Sequence, residues 1–137
     1  MANRNEHIPA TRPPEIDSLR LRFSFKYLDF KNAKFLPSEC SQEYLGKLFQ
    51  ILKEFSNWRV GDFSEQNNDE HRHIIPFETS TEPNGFQIPE ADQMGYLEGW
   101  QFSVRPDVYY DRGRVHGALV DDTFYIVWLD EHHRLCA

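Results

Sequence analysis

The residues with the clearest chemical potential fall near the C-terminal end of the chain. Tyr109, Tyr110, Arg112, Arg114 and His116 are followed, after an apolar run, by Asp130, Glu131, His132, His133 and Arg134. An imidazole titrates near neutrality, so it can take a proton from a ribose 2′-hydroxyl or return one to a leaving oxygen. Guanidinium groups hold a phosphate as its charge builds. These residues are the parts for cleaving a phosphodiester without a metal. Arg114, His116, His132, His133 and Arg134 form the candidate catalytic group. Arg112, Tyr109 and Tyr110 are candidate substrate contacts, the tyrosines offering faces on which a base can stack. The competing structural reading pairs Arg112 and Arg114 with Asp111, Asp130 or Glu131 and leaves the two adjacent histidines on an exposed tail.

A β-hairpin must position this group. Arg114 to Val120 and Thr123 to Leu129 are two strand-like runs separated by Asp121-Asp122. A two-residue loop pairs Val120 with Thr123, sets Leu119 opposite Phe124 and His116 opposite Val127, and places Arg114, His116 and Ala118 on one face. The outgoing strand then brings His132 to Arg134 back beside Arg114. A further strand, Trp100 to Val104, precedes the hairpin and stops at Arg105-Pro106. Near the other end, Leu19, Leu21, Phe23, Phe25 and Tyr27 alternate with Arg20, Arg22, Ser24 and Lys26, the period of a strand with one buried and one cationic face.

Between them, Tyr44, Leu45, Leu48, Phe49, Leu52 and Phe55 recur at spacings of three and four, which predicts a helix over 39–56 capped by Ser38. Gly46 is its weak point. Residues 57–99 show no sustained period and contain prolines at 76, 83 and 89, so they are expected to form a long connection or lid. Residues 1–17, with Pro9, Pro13 and Pro14 among polar neighbours, are expected to be a flexible arm. The fold class expected is α+β, a single domain over 18–137: an N-terminal strand, one or two helices, the long connection, then a C-terminal three-stranded antiparallel sheet.

Composition narrows the function. The chain has 137 residues, which fits one domain, and 15% of them are aromatic, enough for a core of large flat side chains. A net charge of −7 repels phosphate backbones and excludes generic basic nucleic-acid binding. The charge is uneven, however: residues 1–34 carry 7 basic and 4 acidic side chains, whereas 35–101 carry 4 and 12. A local cationic surface therefore exists if the two ends of the chain meet.

Mean hydropathy is −0.68 and neither an apolar span nor a signal-peptide core is visible, so no membrane association and a cytoplasmic location are expected. Cys40 and Cys136 are isolated and form neither a disulfide framework nor a thiolate zinc motif. A metal site drawn from His116, His132, His133 and Asp130, or from His71 and His73, lacks a recognised spacing, and His71-Arg72-His73 reads as ion-paired with Asp69 and Glu70. There is no phosphate-binding loop, so no cofactor is expected.

The run from Arg114-Val-His-Gly-Ala-Leu-Val through Asp121-Asp122 to Trp128-Leu-Asp-Glu-His-His-Arg134 resembles the RelE/ParE-like toxin superfamily, in which a hairpin of this form is followed by a His-Arg pair near the C-terminus. The resemblance covers about the last thirty residues closely and the rest by element order. It implies a small metal-independent ribonuclease from a toxin–antitoxin or phage-defence setting, with RNA or the ribosome as target and an antitoxin as partner. The matching positions are Arg114, His133 and Arg134. His116 and His132 join them from the hairpin geometry. The alternative function is a non-catalytic protein-interaction module on the same fold, binding a basic partner through the acidic middle region.

Overall fold

The hairpin forms the middle of the molecule. In the computed structural model, which describes residues 14–65, 71–88, 98–104 and 113–136, β4 (Arg114–Val120) and β5 (Thr123–Asp130) pair antiparallel through the Asp121-Asp122 turn. They belong to a five-stranded sheet in the order β1-β5-β4-β3-β2, with β1 at Arg22–Ser24, β2 at His73–Ile74 and β3 at Glu98–Ser103. The α+β class and the antiparallel β3-β4-β5 unit are as expected. Two short edge strands extend that unit, and β1 runs parallel to β5.

The register departs from the simple hairpin at one point. Val120 pairs with Thr123 and Leu119 with Phe124, but His116 lies opposite Trp128 rather than Val127, because a β-bulge falls between His116 and Gly117. Val127 is the extra residue. Its carbonyl accepts from the Asp29 amide at 2.9 Å, and Val127 and Trp128 both pack into the same apolar cluster. The bulge changes the parity of everything after it. An unbroken register sets Leu129 opposite Arg114 and turns Asp130 toward the apolar helix side; the observed one sets Asp130 opposite Arg114, on the face that carries His116. Gly117 permits the close approach: a Cβ there would lie 2.6 Å from the Phe124 ring and collide with the Tyr125 carbonyl oxygen.

Helix α2 (Gln42–Phe55) covers one face of the sheet. Its Tyr44, Leu48, Leu52 and Phe55 are buried against Val115, Leu119, Phe124 and Ile126, each contributing about 1.5–3 kcal/mol by leaving water. Phe49 falls off the stripe and is 60% exposed. The helix begins later than the sequence suggests. Ser41, not Ser38, accepts from the Tyr44 amide, while Ser38 lies in a 3-10 turn over Pro37–Glu39. Glu131 selects this start, since its carboxylate accepts from both the Ser41 amide (2.8 Å) and hydroxyl (2.6 Å).

The opposite face is covered by chain from residues 27–36 and 75–88 and by the last residues. Phe35 stacks on Trp128 with ring centroids 4.8 Å apart, and Ile75, Ile88 and Leu135 complete the cluster. The expected long connection thus contains structure: α3 (Val60–Ser64), β2 and a 3-10 turn at Phe77–Thr79. Of the expected arm, Pro14–Asp17 forms a helical turn, α1, with Ile16 packed on the core; the rest of the arm lies outside the described residues. The N-terminal strand is shorter than its alternation suggests, with Leu19 43% and Phe25 49% exposed. Among the described residues, no helix is long and apolar enough to cross a membrane.

Candidate functional site

The bulge places Asp130 where it can organise the end of the hairpin. Asp130 Oδ2 accepts from His116 Nε2 at 2.9 Å and from the Leu135 amide at 3.0 Å; Oδ1 accepts from the Arg134 amide at 2.7 Å. The backbone of 131–134 is thereby wrapped around one buried carboxylate. That turn carries His132, His133 and Arg134. His133 adopts φ +58°, a left-handed backbone that a side chain other than glycine occupies only where its surroundings fix it.

The sheet supplies a polar row beneath the turn. His73 on β2, Gln101 on β3 and His116 on β4 are neighbours across the strands, and the Gln101 amide donates to His73 Nε2 at 3.1 Å. His116 is fully buried and meets the stacked pair of Phe35 and Trp128 at steep ring angles. Burial pushes its pKa below the usual imidazole value despite the neighbouring carboxylate. Burial acts to raise Asp130, but the His116 hydrogen bond and the two backbone amides outweigh it and hold the carboxyl below its usual range. The pair is therefore a neutral imidazole donating from Nε2 to an ionised carboxylate. Nδ1 of His116 has no hydrogen-bond partner among the described residues. His133 is half-buried and is also pushed down, first by burial and then by the Arg114 guanidinium, which together outweigh the opposing pull of the Asp130 carboxylate.

The expected catalytic group is split by depth. Arg114 and His116 are interior residues, 3% and 0% exposed, so in this conformation they lie beneath the surface rather than at a phosphate. His132 and Arg134 are exposed and line a pocket of about 250 Å3 with Lys34, Glu39, Cys40 and Glu131. His133 lies between the two levels. Asp130 and Glu131 do not serve as the expected arginine partners in these hydrogen bonds; they hold His116 and Ser41. Tyr109, Tyr110 and Arg112 lie outside the described residues. Burial, then the carboxylates of Glu131 and Asp130, push the Cys40 thiol up to about 11, which leaves it protonated and a poor nucleophile.

Sequence reasoning named His71 and His73 but left them out of the candidate site. The expected pairing with Asp69 and Glu70 lies outside the described residues; Arg72 itself is buried, its guanidinium donates to the carbonyls of Phe63 (2.8 Å) and Glu65 (2.8 Å) at the end of α3, and it stacks on Trp58 at 4.9 Å. Anchoring Arg72 this way brings His73 onto the polar row and His71, with φ +52°, within electrostatic reach of His133. The signal available in the sequence was the His-x-His pair flanking an arginine. Among the described residues no three His, Cys, Asp or Glu side chains are grouped to hold a metal ion. No family model, curated protein or solved structure gives a significant match to this chain.

Proposed function

We propose that this protein is a small metal-independent ribonuclease of the RelE-like toxin type, working from the 131–134 turn. The observation that supports it most is the capping of that turn by a buried carboxylate, which sets His132 and Arg134 on the lining of a polar pocket with the half-buried His133 between them in the chain. In the proposed reaction His133, neutral at pH 7, takes the proton of a ribose 2′-hydroxyl. The 2′-oxygen attacks the adjacent phosphorus, the bond from phosphorus to the 5′-oxygen breaks, and His132 as general acid returns a proton to that oxygen. The products are a 2′,3′-cyclic phosphate and a 5′-hydroxyl. Arg134 carries the developing phosphorane charge. His116 acts from below as a positioning residue, through Asp130, and Arg114 acts through its charge beside His133.

The test is cleavage of a mixed RNA pool in EDTA, with and without ribosomes. The wild-type protein is expected to cleave, and His133→Ala to lose at least 100-fold in rate, as for removal of a general base, while keeping its thermal midpoint. A wild-type protein that cleaves nothing in either condition would remove this reading. It would leave the interaction module, which the exposure of Glu39, Glu43, Glu54, Glu65 and Glu78 on the acidic middle region favours.

A further inference from the structure

The N-terminal strand and the C-terminal hairpin do meet. β1 lies parallel against β5, with Arg22 opposite Thr123 and Ser24 opposite Tyr125. The chain after β1 then follows β5 toward its C-terminal end. Tyr27 packs on Tyr125, the Asp29 amide reaches the Val127 carbonyl, and Ala33 and Lys34 arrive in the pocket that His132 and Arg134 line. The outer side of this path is unusual in such an acidic molecule. Arg22, Lys26 and Lys31 are exposed along it, and between them stand Phe25, 49% exposed, and Phe30, 66% exposed, two of the most exposed large apolar side chains described.

We infer that this edge, from β1 through residues 25–31 to the 131–134 turn, is a track for single-stranded RNA, with bases stacked on Phe25 and Phe30 and phosphates held by Arg22, Lys26, Lys31 and Arg134. Exposed aromatic faces interleaved with cations are what a single strand needs, since every base has a face to stack and every linkage a charge. The charges are available. Lys26 and Lys31 make no salt bridge among the described residues, although Lys26 rests over the Tyr27 ring at 5.3 Å and Lys31 acts on Asp29 through its charge, and Arg22 only brushes Asp122 at 3.6 Å with its side chain 70% exposed. Lys34 is excluded from the track because Glu82 (2.5 Å) already holds its ammonium.

A peptide adding itself as a sixth strand is the less favoured occupant. β1 offers only three residues of ladder, and cations on a short edge strand are a common defence against strand addition. The inference rests on the ribonuclease reading for the identity of the polymer and adds where the strand approaches and that it is unpaired.

The probe is a fluorescein-labelled mixed-sequence 12-mer of 2′-O-methyl RNA, which lacks the attacking hydroxyl, so binding is read independently of cleavage. Phe25→Ala/Phe30→Ala, both surface changes, is expected to weaken binding about 30-fold, from two stacking interactions at the low end of their range. Lys26→Glu/Lys31→Glu is expected to lower the slope of log affinity against log salt by about 1.4, at roughly 0.7 for each single-strand phosphate that is no longer neutralised. Circular dichroism confirms that both variants fold. Unchanged affinity in both variants, or equal affinity for the duplex of the same sequence, overturns the inference whatever the cleavage assay gives. Tighter binding of a poly-glutamate peptide than of the RNA also overturns it and assigns the edge to an acidic protein. Intact track binding by a wild-type protein that cleaves no RNA sinks the ribonuclease reading alone.

Discussion

Asp130 is the residue on which the candidate site depends. Its carboxylate receives one imidazole and two amides inside the protein, and removing it leaves all three without their acceptor. Asp130→Ala is therefore expected to cost at least about 3 kcal/mol in urea unfolding, since each buried donor left without an acceptor costs about 1–3 kcal/mol, and to release the 131–134 turn. The pH dependence has a definite sign. His116 and His133 are both held below the usual imidazole value, so the unfolded chain binds protons that the folded one refuses. Their contribution to stability is present above about pH 6.5 and is lost as pH falls below that value. Asp130, held below its usual range, loses its share lower down, as pH falls through the carboxylate region. The thermal midpoint should accordingly drop in two stages between neutral and acid pH, and His116→Asn should shrink the upper stage. A midpoint that rises on acidification to pH 5.5 would contradict this assignment.

At the scale of elements, the hairpin was legible and its bulge was not. The Asp121-Asp122 turn and the Val120 to Thr123 pairing follow from the flanking strand patterns, and the structure has both. The run Phe124-Tyr-Ile-Val-Trp-Leu129 is apolar at every position, so no alternation survives to reveal where the register slips. Yet that slip puts Asp130 on the His116 face. The candidate residues could thus be named from their types while their separation into buried and exposed levels could not. His71 and His73 were weighed and set aside for a related reason: their position is set by Arg72 gripping α3, an interaction no local pattern encodes. The bulge also makes a prediction. Gly117→Ala places a methyl against the Phe124 ring and the facing backbone, and should destabilise by about 1–3 kcal/mol as other overpacked sites do. Ser41→Ala removes the α2 cap and the hydroxyl held by Glu131, and should cost about 1 kcal/mol in the same assay.

For the whole molecule, the acidic average conceals a division of labour. The negative side chains concentrate in residues 35–101, while basic residues of the N-terminal segment come to lie along β5. Net charge alone argued against a nucleic-acid partner; the parallel pairing of β1 with β5 brings Arg22 and the exposed Lys26 and Lys31 beside the C-terminal strand, which is the surface the proposed track uses. The sheet is also graded in stability. β3, β4 and β5 are buried almost throughout, whereas β1 and β2 are short and flank them. Hydrogen exchange should show the slowest amides in β4 and β5 and much faster exchange at β1. A β1 as protected as β5 would mean that the edge is covered in solution.

The parallel pairing has a kinetic consequence as well. Phe23 meets Phe124 across about a hundred residues of intervening chain, and closing so long a loop costs entropy that only an already formed sheet can offset. The β4-β5 hairpin, with its two-residue turn, can form first, and β1 docks onto it afterwards. In stopped-flow measurements Phe23→Ala should accelerate unfolding and leave the folding rate nearly unchanged, whereas Gly117→Ala should slow folding. The strand that brings the cationic edge to the site would then be the last part of the sheet to assemble and the first to leave it.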